Sequence, residues 1–187
     1  MQRYLLAVDT FSAWVGKTFA WCIFILVVLT VYDVFARYAF NSPTGFAFDL
    51  SYYLYATLFM VGGAYALSRG QHVRGDIFYR LWPVRVQASV EIVLMLLLFF
   101  PAIIALISSG WQFFYPSFLI GERTQTSFVA LPLWPLKFVI PFAGALMLIQ
   151  GIVEFIRAII AFRTRVWPQR LADVEETETA LARQEQL

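Results

Sequence analysis

The side chains able to do chemistry in this 187-residue chain are few: one histidine, one cysteine, and carboxylates that stand beside basic residues at helical spacing. His72 lies among arginines, without the second imidazole that haem ligation needs or the companions of a zinc set. Cys22 sits inside an apolar run, where the expected role is that of a small buried hydrophobe, and one thiol makes neither an intramolecular disulfide nor a four-cysteine metal site. A serine nucleophile would need His72 as its base, and no serine has a nucleophile-elbow context. The sequence therefore points to no catalytic residue, no cofactor-binding residue and no metal ligand. Arg74-Gly75-Asp76 matches an adhesion tripeptide by coincidence, and proline at the third position of Asn41-Ser42-Pro43 blocks glycosylation there.

Ionisable residues inside apolar segments are functional candidates because an unpaired charge in hydrocarbon is costly. Asp33 and Arg37 are spaced i, i+4 with the acid first, and Glu154 and Arg157 are spaced i, i+3, so each pair can neutralise itself along one helix. Lys137 is expected to snorkel to the outer interface, and Glu91 lies near Arg85 and Gln87. These residues read as structural anchors rather than an ion pathway.

The elements that must position them are membrane helices. The chain is 60% hydrophobic and 14% charged, with a mean hydropathy of +0.70. A soluble domain is about half apolar and about a quarter charged. The aromatic residues, 19 Phe, 9 Tyr and 6 Trp, are of the kind that gathers where hydrocarbon meets headgroups. A formal charge of +2 with no basic stripe excludes nucleic acid as a partner and leaves membrane lipids. The expected fold is all-α and integral to the membrane: a four-transmembrane-helix bundle with an N-terminal interfacial amphipathic segment. The spans fall at about 14–39, 49–68, 90–114 and 134–161 of one domain, 1–170, followed by an acidic and flexible tail at 171–187.

Local signals set those boundaries. Tyr4, Val8, Phe11 and Val15 recur at helical spacing ahead of the first span, which suits a segment lying in the interface; no cleavage site follows, so the segment is read as retained. The turn Asn41-Ser42-Pro43-Thr44-Gly45 closes that span. In the second span Gly62, Gly63, Ala64 and Ala66 allow close helix approach, either to a partner or within the chain. Pro101 is expected to kink the third span, which ends near Phe114 before Pro116. Pro135 suits a first helical turn, and Pro141 bends the fourth span.

Arginines assign an orientation. Arg69, Arg74, Arg80 and Arg85 crowd the second connection, Arg157, Arg163, Arg165 and Arg170 surround the end of the fourth span, and Arg3 and Lys17 precede or open the first. The positive-inside rule then places both termini in the cytoplasm. Within the second connection, Ile77, Phe78, Leu81 and Trp82 form an apolar strip suited to the inner interface. Neither an internal repeat nor a pair of broken helices marks a self-contained secondary transporter.

The order of residues in Val34-Phe35-Ala36-Arg37-Tyr38-Ala39-Phe40-Asn41-Ser42-Pro43, Asp49, Tyr53-Leu54, Gly63-Ala64-Tyr65-Ala66-Leu67 and Gly70-Gln71-His72-Val73-Arg74-Gly75-Asp76-Ile77 resembles the small membrane subunit of tripartite ATP-independent periplasmic (TRAP) transporters, the DctQ-like family. Leu133-Trp134-Pro135-Leu136-Lys137 and Gln150-Gly151 resemble its last span. Three positions depart from the family pattern: Phe46 where Trp is common, Asp49 for the more usual Glu, and Gly75 for a β-branched residue. The first two keep the chemistry; Gly75 alters local loop packing. The resemblance implies a scaffold in the bacterial inner membrane beside a large permease subunit, which carries out sodium symport of an organic acid delivered by a periplasmic solute-binding protein.

The structural and subunit-interface candidates are Arg37, Asp49, Gly62, Gly63, His72, Arg74 and Asp76. Arg37 and Asp49 are expected to pair across the short turn, with Asp33 competing for Arg37. The rival functions are a stand-alone membrane transporter or channel, a membrane enzyme or electron carrier, and a sensory adaptor subunit using the acidic tail.

Overall fold

The computed structural model describes residues 2–69, 82–127 and 129–168. Four helices account for nearly all of them: α1 (Gln2–Phe40), α2 (Ala47–Ser68), α3 (Val84–Ile120) and α4 (Trp134–Thr164). Each is long and apolar enough to cross a membrane. At about 1.5 Å per residue, the 22 residues of α2 match a hydrocarbon core of ~30 Å, while the 39 of α1 and the 37 of α3 exceed it.

The four helices form an open bundle around α4. α1 lies along α2, α2 along α4, and α3 packs chiefly on α4. Of the most apolar stretch of α4, 44% is buried, against 6% for α1. Val15, Val61, Ala64 and Leu146 form the core of the α1–α2–α4 side, with Phe19, Val139, Phe142 and Met147 around it. Small residues bring the axes close. A methyl group on Gly16 would meet Tyr65 Cβ at 2.6 Å, one on Gly144 would meet Ile107 at 2.7 Å, and one on Gly110 would meet Ile140 at 2.8 Å. Gly151 is closed over by the Phe99 ring in the same way.

Proline shapes α3 differently from expectation. Because Pro101 has no N–H and its ring crowds the carbonyl four residues back, the preceding turn widens into a π-helical stretch, Met95–Phe99, with the Phe100 N–H donating to the Met95 carbonyl. The helix does not stop before Pro116. It runs to Ile120 and ends where Gly121 takes a left-handed φ of 60°, with the Gly121 N–H on Phe118 O (3.3 Å) and the Glu122 N–H on Ser117 O (3.0 Å), a Schellman arrangement. Pro135 does occupy the first turn of α4.

The N-terminal amphipathic segment is the first part of α1 and continuous with the span. Its apolar residues Tyr4, Phe11 and Trp14 face outward, and the face turned into the bundle carries Leu5, Asp9 and Ser12. The acidic tail, His72, Arg74, Asp76 and the apolar strip Ile77, Phe78 and Leu81 lie outside the described residues.

Candidate functional site

Polar side chains collect at the two ends of the bundle. At the end holding the α1–α2 turn, Arg37 donates to Asp33 Oδ2 at 2.9 Å. The other carboxylate oxygen of Asp33 accepts the Thr44 N–H at 2.9 Å and the Thr44 hydroxyl. Asp33 thus fastens the turn to the helix that precedes it. The expected pairing of Arg37 with Asp49 is not made. Asp49 is buried in the first turn of α2 and accepts hydroxyl hydrogen bonds from Thr124 and Ser127. It sits at the positive end of the helix, which suits a carboxylate.

Those hydroxyls belong to the α3–α4 loop, which is folded rather than loose. An isolated β-bridge joins Arg123 to Pro132, Thr124 N–H donates to Leu131 O at 2.8 Å, and Leu133 N–H donates to Glu122 O at 2.8 Å. Arg123 caps the Ala130 carbonyl at 3.2 Å, and the Tyr53 hydroxyl donates to Pro132 O. Lys137 does not snorkel outward. It is buried, ion-paired with Glu122, and held 4.1 Å from the centre of the Phe113 ring. The Lys137 ammonium group beside Glu122 holds its carboxyl below the usual glutamate range.

At the opposite end lies a cluster of which the sequence showed only the Glu154–Arg157 pair. Arg157 of α4 donates through both terminal nitrogens to Asp9 of α1, the longer bond being 3.2 Å, and also bonds Glu154. Gln150 donates to Asp9 Oδ1 at 2.8 Å and accepts the Ser12 hydroxyl at 2.9 Å. All five side chains are buried. The helical spacing of Asp9 with Ser12, and of Gln150 with Glu154 and Arg157, was the available signal: each set lines one face of its helix.

From Asp9 to Asp33 the rise along α1 is about 36 Å, so the two clusters cannot combine into one site. Within each, the charged groups bond near neighbours, although the buried Arg157 Nε has no hydrogen-bond partner among the described residues. Among the described residues no group of three or more His, Cys, Asp or Glu is placed to hold a metal ion. A groove of about 600 Å³ runs along α1 between Val31, Phe35 and Tyr38, and its lining is almost wholly apolar. Of the small residues of α2, Gly63 packs against Met147, with the sulfur 3.2 Å from where a methyl would stand, whereas Gly62 faces open space.

Residues 26–161 match the family model described as tripartite ATP-independent periplasmic transporters, DctQ component. The chain belongs to the DctQ family. It is the small membrane subunit of a TRAP transporter, a multi-pass protein of a transporter family rather than an enzyme family. No curated protein matches the chain. The DctQ match runs from the middle of α1 to the last turn of α4 and leaves Asp9 and Ser12 outside it, while Gln150, Glu154 and Arg157 lie within.

Proposed function

We propose that this DctQ-family chain is the fixed scaffold of a sodium-coupled TRAP transporter. It braces a large permease subunit that moves an organic acid or related solute, which a periplasmic binding protein delivers. The observation that carries this reading is the disposition of polar groups: two separate clusters at opposite ends, with an apolar interior between them. A solute path through the chain would need convergent polar groups part-way along the bundle. The exposed aromatic and aliphatic faces of α1 and α3 suit lipid and a neighbouring membrane subunit. With both termini cytoplasmic, as the arginines argue, the Asp49 loop faces the periplasm and the Asp9 cluster the cytoplasm. Arg37, Asp49, Gly62, Gly63, His72, Arg74 and Asp76 then serve subunit assembly.

The test is uptake by the assembled system with and without this chain, together with solute binding to the chain alone. Deletion abolishes uptake, and the isolated chain binds no solute. Saturable binding of a transported acid to the isolated chain overturns the scaffold reading.

A further inference from the structure

A second cavity, of about 520 Å³, opens where the start of α1 meets the end of α4. Leu5, Ile160, Val166 and Trp167 give it an apolar wall, and Gln2 and Thr164 give it a polar edge. Trp167 is tied to α3 by its indole N–H, which donates to Gln87 at 3.2 Å, so that wall is held in place. Thr164 lies about 40 Å along α4 from Lys137, beyond a hydrocarbon layer of ~30 Å and level with headgroups.

Among the described residues the basic side chains without a hydrogen-bond or ion-pair partner are Lys17, Arg85 and three arginines that neighbour this cavity's lining in sequence. Arg37, Arg123, Lys137 and Arg157 are each bonded to a carboxylate or a carbonyl. Arg3, Arg163 and Arg165 are exposed, and among the described residues none forms a side-chain hydrogen bond or ion pair. Arg3 adjoins Gln2, Arg165 stands between Thr164 and Val166, and Arg163 follows Ile160 by one helical turn. An apolar slot at headgroup level, whose lining residues are neighbours in sequence of three exposed arginines, fits a ligand with an anionic head and a hydrocarbon tail.

We infer that this cavity binds an anionic phospholipid. The phosphate lies among Arg3, Arg163 and Arg165, and an acyl chain lies along Leu5, Ile160 and Val166. The lipid would join the first turn of α1 to the last turn of α4, on the same two helices that Asp9 and Arg157 connect deeper in the bundle. The inference rests on the membrane reading of the chain but not on its orientation, because a symmetric bilayer offers the same lipids to both ends.

The experiment is native mass spectrometry of the full chain released from nanodiscs of equal parts phosphatidylglycerol and phosphatidylethanolamine. The wild-type chain retains phosphatidylglycerol preferentially, and each arginine neutralised lowers that preference about 5-fold. Arg163→Ala with Arg165→Ala removes most of it, Arg163→Lys with Arg165→Lys keeps it, and Arg123→Gln at the other end leaves it unchanged. Circular dichroism checks that each variant is folded. Equal retention of the two lipids by the wild type, or undiminished preference in the double alanine variant, overturns the inference.

Discussion

Arg157 of α4 and Asp9 of α1 form an ion pair from which solvent is shut out on both sides. Gln150 and Ser12 extend the contact, so the start of α1 is held to the central helix by polar bonds as well as by packing. A buried pair of this kind adds little over apolar packing, but removing one partner is costly because the other charge is left in a poor solvent.

Asp9→Ala should destabilise the purified chain by about 1–3 kcal/mol, because Gln150 and one guanidinium nitrogen lose their acceptor while Glu154 still neutralises Arg157. Ser12→Ala, which removes one neutral interhelical bond, should cost about 0.6 kcal/mol. Neutralising all three charges with Asp9→Asn, Glu154→Gln and Arg157→Gln should recover part of the loss. Thermal unfolding in mild detergent reads all three. An Asp9→Ala variant no less stable than Ser12→Ala would mean that the guanidinium finds other compensation.

Asp49 and Arg37 should part company under mutation. Arg37 is exposed and its i, i+4 bond to Asp33 is worth about 0.3–0.5 kcal/mol, whereas Asp49→Ala orphans two hydroxyls and frees the α3–α4 loop. Limited trypsin digestion at Arg123 should accelerate in Asp49→Ala and stay near wild type in Arg37→Ala. Equal protection in both variants would show that the bridge between Arg123 and Pro132 holds the loop without Asp49.

The sequence makes the spans legible because hydrocarbon demands long apolar runs, and Pro135 and the 41–45 turn mark two of their ends. Pro116 misled about α3, since the stop comes from Gly121, whose left-handed conformation satisfies the last carbonyls. Asp33 with Arg37 and Glu154 with Arg157 were readable because they are local. Asp9 with Arg157 was not, because 148 residues separate partners that only tertiary packing brings together. The partners of Asp49 were hidden for the same reason: nothing in the pattern of 121–133 says that this loop folds back onto α2. Among the interface candidates, Gly62 and Gly63 look equivalent in sequence, and only the neighbour of each separates them.

Glu122 gives a pH dependence with a definite sign. Its carboxyl titrates below the ordinary glutamate range because Lys137 bonds the ionised form, so folding is favoured by this pair above the unfolded-state value and the benefit disappears as pH falls through the folded one. The gap in melting temperature between wild type and Glu122→Gln should be widest near neutral pH and close as the solution is acidified. A gap that grows on acidification would contradict the assigned sign.

Gly62 and Gly144 provide the last comparison, because one glycine faces open space and the other is pressed against a side chain. A methyl group on Gly144 would lie 2.7 Å from Ile107, so Gly144→Leu must push α3 away from α4, at about 1–3 kcal/mol for overpacking. Nothing lies within 4 Å of a methyl on Gly62, so Gly62→Leu should leave the stability of the isolated chain within about 0.5 kcal/mol of wild type. Exposed Tyr55 and Phe59 stand two turns and one turn before it on the same side of α2, so a helix settling beside them would meet a notch at Gly62 that leucine fills. If Gly62 serves assembly, Gly62→Leu should reduce co-purification of the large permease subunit while the chain itself melts normally. Normal melting with normal co-purification would remove Gly62 from the interface and leave the outward face of α2 to lipid.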